Sequence, residues 1–143
     1  MDTPKISEQN QEYFENLKAT LSSMLTLSIM NMEMSEHTKA CSPIRWSYLL
    51  CKEAEELEEA VKLHKDSDKD KNREVIDELG DVLGNAFALI QSLNLSEEEI
   101  RDIYKMNLYK FRTRKPWIFP EYEGERPKDE AAEWNRLKTL DKK

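Results

Sequence analysis

Four acidic residues in two short patterns are the strongest candidates for chemistry. Glu53 and Glu56 are three residues apart, as are Glu78 and Asp81, and on a helix that spacing places two carboxylates about one turn apart on one face. The surrounding density does not decide the matter: residues 53 to 81 hold twelve carboxylates against five lysines and arginines, which a solvated surface would also show. Helical phase divides them. Leu50, Ala54, Leu57 and Val61 fall within about 40° of the direction of Leu50 and predict a buried stripe. Glu55 and Glu58 point away from it, and Glu58 with Lys62 forms an ordinary surface pair. Glu53 and Glu56 share a flank with Leu49, Ala60 and Leu63, at the edge of the expected core. Further on, Val75, Ile76, Leu79, Val82, Leu83, Ala86 and Ile90 predict a second stripe, flanked by Glu78, Asp81 and Asn85, with Gly84 permitting close approach of a partner or ligand.

Facing pairs of this kind would crowd four carboxylates beside an apolar core, where unpaired charge costs several kcal/mol per ion. A hard divalent cation such as Mg2+ relieves that cost and keeps coordination positions for water and phosphate oxygens. Salt bridges to a neighbouring helix are the competing account. A later segment carries the opposite charge: from Arg101 to Lys115 there are six basic residues and one acid. Within it Asn107 falls in the apolar face of Ile100, Ile103, Tyr104 and Phe111, where an amide needs a partner. Lys110 and Arg114 continue the same line. A basic helix near a carboxylate cage suits a polyphosphate ligand, whereas a solvated basic face is the plainer reading.

The elements that position these groups are helices. With 143 residues, 38% hydrophobic and 36% charged, and only three glycines and five prolines, the chain predicts one all-α domain. One helix is expected from about Ser7 into the 20s or 30s, within an N-terminal segment 1–40, and the stretch from residue 24 carries four of the six methionines, Met24, Met30, Met32 and Met34. A break follows at 35–43, then helices at about 44–64 and 73–93, separated by a solvated turn at 65–72. Asn94 ends the third, and Ser96 with Glu99 has the form of a capping box for a fourth reaching Arg112 or beyond. Residues 116–143 predict an extended, proline-broken segment and a short helix bearing Ala131, Trp134 and Leu137. The net charge of −7 excludes binding of a nucleic-acid polymer through bulk charge. No apolar run spans a bilayer and the N-terminus is too charged for a secretory signal, so a cytoplasmic protein without membrane contact is expected. Cys41 and Cys51 are expected as buried thiols, with a disulfide as the alternative, and His37 and His64 as a loop residue and a helix-surface residue.

The runs LLCKEAEELEEAV (49–61), EVIDELGDVLGNAFALI (74–90) and KMNLYKFRTRKP (105–116), in this order, resemble the MazG-type all-α nucleoside triphosphate pyrophosphohydrolases. The resemblance implies a helical bundle with a four-helix core completed by a second chain, as a homodimer or homotetramer. It implies Glu53, Glu56, Glu78 and Asp81 as ligands of Mg2+, with Mn2+ as a substitute, and Glu53 or Glu56 as the catalytic base. Asn85, Lys105, Asn107, Lys110 and Arg114 then stand where the family places contacts to substrate and phosphates. Lys52 departs from the pattern, since many members carry a glutamate there. Glu59 matches a further acidic position in some members but has a more exposed phase. The implied reaction converts a (deoxy)nucleoside triphosphate and water to the monophosphate and pyrophosphate, in nucleotide-pool control or house-cleaning. A base pocket is expected between the first helix and the loop before the second, where Trp46 would stack on the base or serve the core. A dUTP- or dCTP-specific enzyme, a phosphoribosyl-ATP pyrophosphatase and a non-catalytic helical nucleotide-binding or interaction module are the alternatives.

Overall fold

A computed structural model describes residues 5–64 and 69–141, and among these every regular element is helical. The elements are α1 (Gln11–Met34), α2 (Glu36–Ala40), α3 (Pro43–Leu63), α4 (Lys69–Ser92), α5 (Glu97–Arg114) and α6 (Glu130–Asp141), with short 3-10 turns at Glu8–Asn10 and Pro116–Ile118. The all-α expectation holds. The chain divides into two compact units, Met1–Asn94 and Leu95–Lys143.

Local chemistry accounts for the boundaries. Ser42 caps α3 by accepting from the Arg45 N–H at 3.3 Å, and Pro43 occupies the first turn, where its missing N–H costs nothing. Ser35 caps α2 in the same way, through the Thr38 N–H. This short helix lies within the segment expected only to break the pattern. Asn94 has a φ of +50°, the left-handed conformation that stops α4. Ser96 and Glu99 form the expected reciprocal capping box. The helix expected from Arg73 starts at Lys69, and residues 65–68 of the expected solvated turn lie outside those described.

In the first unit α3 and α4 pack along each other, and α1 lies against α4. The first pair is antiparallel: Glu53 meets Glu78 and Asp81, while the earlier Trp46 shares a cavity with the later Gly84 and Ala88. Gln91 on α4 donates from Nε2 to the Ser28 hydroxyl on α1 at 2.7 Å and ties the third helix on.

The packed faces differ from those expected. On α3 Pro43, Trp46 and Ser47 are covered in the first turns and Leu49, Leu50, Glu53, Leu57 and Ala60 beyond them, whereas Ala54 and Val61 are exposed. On α4 Val75, Glu78, Val82, Leu83, Ala86 and Ala88 are covered, four of them among the seven expected stripe residues, whereas Ile76, Leu79 and Ile90 are exposed. At 100° per residue the packed face of α3 is centred on Glu53, about 60° round from the apolar stripe. The acidic flanks therefore face each other, and only one edge of each apolar stripe, Ala54 and Val61 on α3 and Ile76, Leu79 and Ile90 on α4, is left exposed. The first helix behaves similarly, with Phe14, Leu17, Leu25, Leu27 and Met30 exposed.

In the second unit α6 packs on α5, with the Trp134 and Phe111 rings edge to face at 6.0 Å. Trp117, in the 3-10 turn, is buried. Asn107 is exposed, as are Ile100 and Ile103 on the same face, so no desolvation compels a partner for its amide. Cys41 is half-buried, Cys51 exposed and both are free, which corrects the expectation of buried thiols. His37 lies within α2 rather than a loop.

Candidate metal and nucleotide site

The α3–α4 interface converges three carboxylates. One oxygen from each of Glu53, Glu78 and Asp81 lies within 4.8 Å of the other two. Glu53 and Glu78 are half-buried and Asp81 is exposed, so the cluster opens to solvent on one side. The Oε2 atoms of Glu53 and Glu78 are buried without a hydrogen-bond partner. Carboxylate oxygens are not normally left so, and the arrangement lacks a donor or a cation.

The surroundings of Glu53 and Glu78 disfavour their charged forms. Desolvation raises the Glu53 carboxyl to about 7, helped by a hydrogen bond to Glu56 and by the charges of Glu56, Asp81 and Glu78. Glu78 is also raised, first by desolvation and then by the charges of Glu56, Asp81 and Asp77, against a smaller opposing effect of a hydrogen bond with Glu53. Protonation is the only relief these side chains have by themselves, and a cation would supply another. The donor set fits a hard divalent ion, being all oxygen. Glu56 is exposed and lies outside the three-oxygen group, beside Glu53.

The neighbouring charges match their phases. Glu58 pairs with Lys62 at 2.7 Å, and Lys52 reaches Glu55 at 3.6 Å with its ammonium 5.6 Å from the Tyr48 ring. Lys52 thus engages the outer face of α3. Glu59 is exposed.

Beside the cluster is a cavity of about 620 Å³, lined from α1 by Met24, Leu27, Ser28, Met30, Asn31 and Met34, from α3 by Trp46, and from α4 by Gly80, Gly84, Asn85 and Ala88. Asn85 donates from Nδ2 to the Asp81 backbone carbonyl at 2.8 Å, linking cavity and cluster through one turn of α4. Four wall residues, Leu27, Ser28, Asn31 and Gly80, were not singled out from sequence. For Gly80 the signal was present, since Gly80, Gly84 and Ala88 recur every four residues.

The other expected contacts lie in the second unit. Lys105, Asn107 and Lys110 are exposed on α5. Arg114 is buried: it donates from an Nη to Asp141 at 3.2 Å, its guanidinium lies 5.6 Å from the Trp134 ring centre, and Tyr109 donates to the same carboxylate at 3.2 Å. Neither Asp141 nor Tyr109 was singled out from sequence, because their contacts depend on how α6 folds back.

Residues 42–119 match the family model of the MazG nucleotide pyrophosphohydrolase domain. That span is more than half of the chain, and the protein belongs to this family. Its fold is similar to the crystal structure of a mazG-related protein from Thermotoga maritima, with a TM-score of 0.63 and 20% identity over 82% of this chain and 98% of that one. No curated protein matches the chain. Among the described residues no helix is long and apolar enough to cross a membrane.

Proposed function

We propose that the protein is a Mg2+-dependent nucleoside triphosphate pyrophosphohydrolase that releases the monophosphate and pyrophosphate. The observation that carries this reading is the convergence of Glu53, Glu78 and Asp81, with two buried and orphaned carboxylate oxygens, beside a cavity roomy enough for a nucleoside. Glu53, Glu78 and Asp81 hold the metal, which supplies charge neutralisation for the phosphate oxygens and polarises water. Glu56, next to Glu53 at the open rim, accepts the proton as water oxygen bonds to the α-phosphorus and the bond from that phosphorus to the α,β-bridging oxygen breaks. Pyrophosphate carries away the electron pair of that bond. Asn85 contacts the nucleoside from α4, and Trp46 contacts the base. In the second unit, the exposed Lys105, Asn107 and Lys110 of α5 are the candidates for phosphate contacts, whereas Arg114, buried against Asp141 and Trp134, holds α6 to α5.

The outward apolar stripes support a homodimer or homotetramer, in which Ile76, Leu79 and Val61, and the exposed face of α1, are covered by another copy.

Pyrophosphate release from a panel of triphosphates, with and without Mg2+, tests the reading. Glu78→Gln and Asp81→Asn should each lower metal-dependent turnover by at least about 100-fold while keeping the helical circular dichroism. Unchanged turnover in both variants would refute the metal-site assignment.

A further inference from the structure

Resting on that reading and extending it to substrate selection, we propose that Ser28 is a specificity-determining residue that donates a hydrogen bond to the base, and that Gln91, which stands outside the cavity wall, is the positioning residue that fixes the direction of its hydroxyl. The direction follows from three atoms. The Nε2 of Gln91 lies 2.7 Å from the Ser28 Oγ and 3.2 Å from the Phe87 backbone carbonyl oxygen, one turn earlier on α4. A carbonyl oxygen only accepts, so the atom between these two partners is the nitrogen, and its two hydrogens are divided between them. Ser28 therefore accepts from Gln91, and its own hydrogen points elsewhere.

Among the described residues that hydrogen has no acceptor. Hydroxyls on helices commonly donate to a carbonyl three or four residues back. Thr26 does so to Ser22 on α1, Ser92 to Leu89 on α4 and Thr113 to Tyr109 on α5, but Ser28 makes no such bond. It is instead a polar member of the cavity wall, next to Met24 and Leu27 of α1. Both Ser28 and Gln91 are half-buried, so the bond that sets the orientation is shielded from competing water. An uncommitted donor in a largely apolar wall contributes to binding when the occupant supplies an acceptor, and costs affinity when it does not. The carbonyl oxygens and ring nitrogens of a nucleobase are acceptors of this kind. Asn85 serves the nucleoside from α4, and Ser28 does so from α1.

The test is equilibrium binding, with Mg2+, of non-hydrolysable α,β-imido analogues of dATP, dCTP, dGTP and dTTP and of the corresponding deoxyribose triphosphate analogue that carries no base. Wild type should bind the best of the four nucleotides more tightly than the abasic analogue. Ser28→Ala should weaken that nucleotide about fivefold and leave the abasic analogue within about twofold. Gln91→Glu separates orientation from tethering: the introduced carboxyl oxygen accepts from Ser28, so the bond between α1 and α4 persists while the serine hydrogen turns away from the cavity. This variant should lose as much nucleotide affinity as Ser28→Ala, and the two substitutions together should lose no more than either alone, about fivefold. Full nucleotide affinity in Gln91→Glu would overturn the positioning role of Gln91, leaving it a tether between helices. Full affinity in Ser28→Ala, an equal loss for the abasic analogue, or a wild type that binds both ligands equally would overturn the contact to the base. Each of these results leaves the metal-site reading intact. Absence of binding of every ligand to the wild type would instead overturn the proposed function and this inference with it.

Discussion

Metal binding should expel a proton from Glu53, and the amount follows from its environment. With the carboxyl raised to about 7 by burial and by Glu56, Asp81 and Glu78, the metal-free protein at pH 6 holds about 0.9 proton there, and at pH 8 about 0.1. A coordinating carboxylate must be ionised, so adding Mg2+ releases that difference to solvent. Titration calorimetry in buffers of different ionisation heat reads the number directly: about one proton per site at pH 6, falling close to zero at pH 8. The raised value also sets a stability trend. An unfolded glutamate ionises near 4.5, so between about 4.5 and 7 the folded metal-free protein holds more protons than the unfolded chain. The contribution of Glu53 is therefore fully present below 4.5 and is lost as pH rises through 7, and saturating Mg2+ should remove much of that loss. Equal proton release at pH 6 and pH 8, or none at either, would refute the account of a desolvated carboxylate awaiting a cation.

Two other perturbations follow from the packing. Asp141→Asn removes the charge that holds Arg114 and should destabilise the protein by about 1–3 kcal/mol in urea melts, because Arg114 stays buried with a weaker partner. Leu79→Lys places a charge on the outward stripe of α4, where the side chain is 44% exposed; light scattering at micromolar concentration should show a smaller assembly than the wild type, with helical content unchanged.

Most of the helical framework is legible from local signals. The capping box at Ser96, the proline after Ser42 and the stop at Asn94 act within a few residues, so their effect does not depend on distant packing. The separation of Glu53 from Glu55 and Glu58 was equally legible, because helical phase alone distinguishes them and the ion pairs with Lys52 and Lys62 follow it. The packed face was not legible in this way. Apolar periodicity identifies a stripe that must be covered, but it does not say which surface covers it.

By itself the sequence determined the longer helices but not α2, together with the two acidic pairs and their family, since each depends on residue type and spacing along one chain. Tertiary structure alone decided that Glu53 and Glu78 lie at the centre of the α3–α4 contact while Ile76 and Leu79 face outward. It also joined Arg114 to Asp141 and opened the cavity beside Gly84. The physical reason is rotation about the helix axis: a turn of about 60° keeps every local hydrogen bond and capping contact, yet exchanges the residues that meet a neighbouring helix.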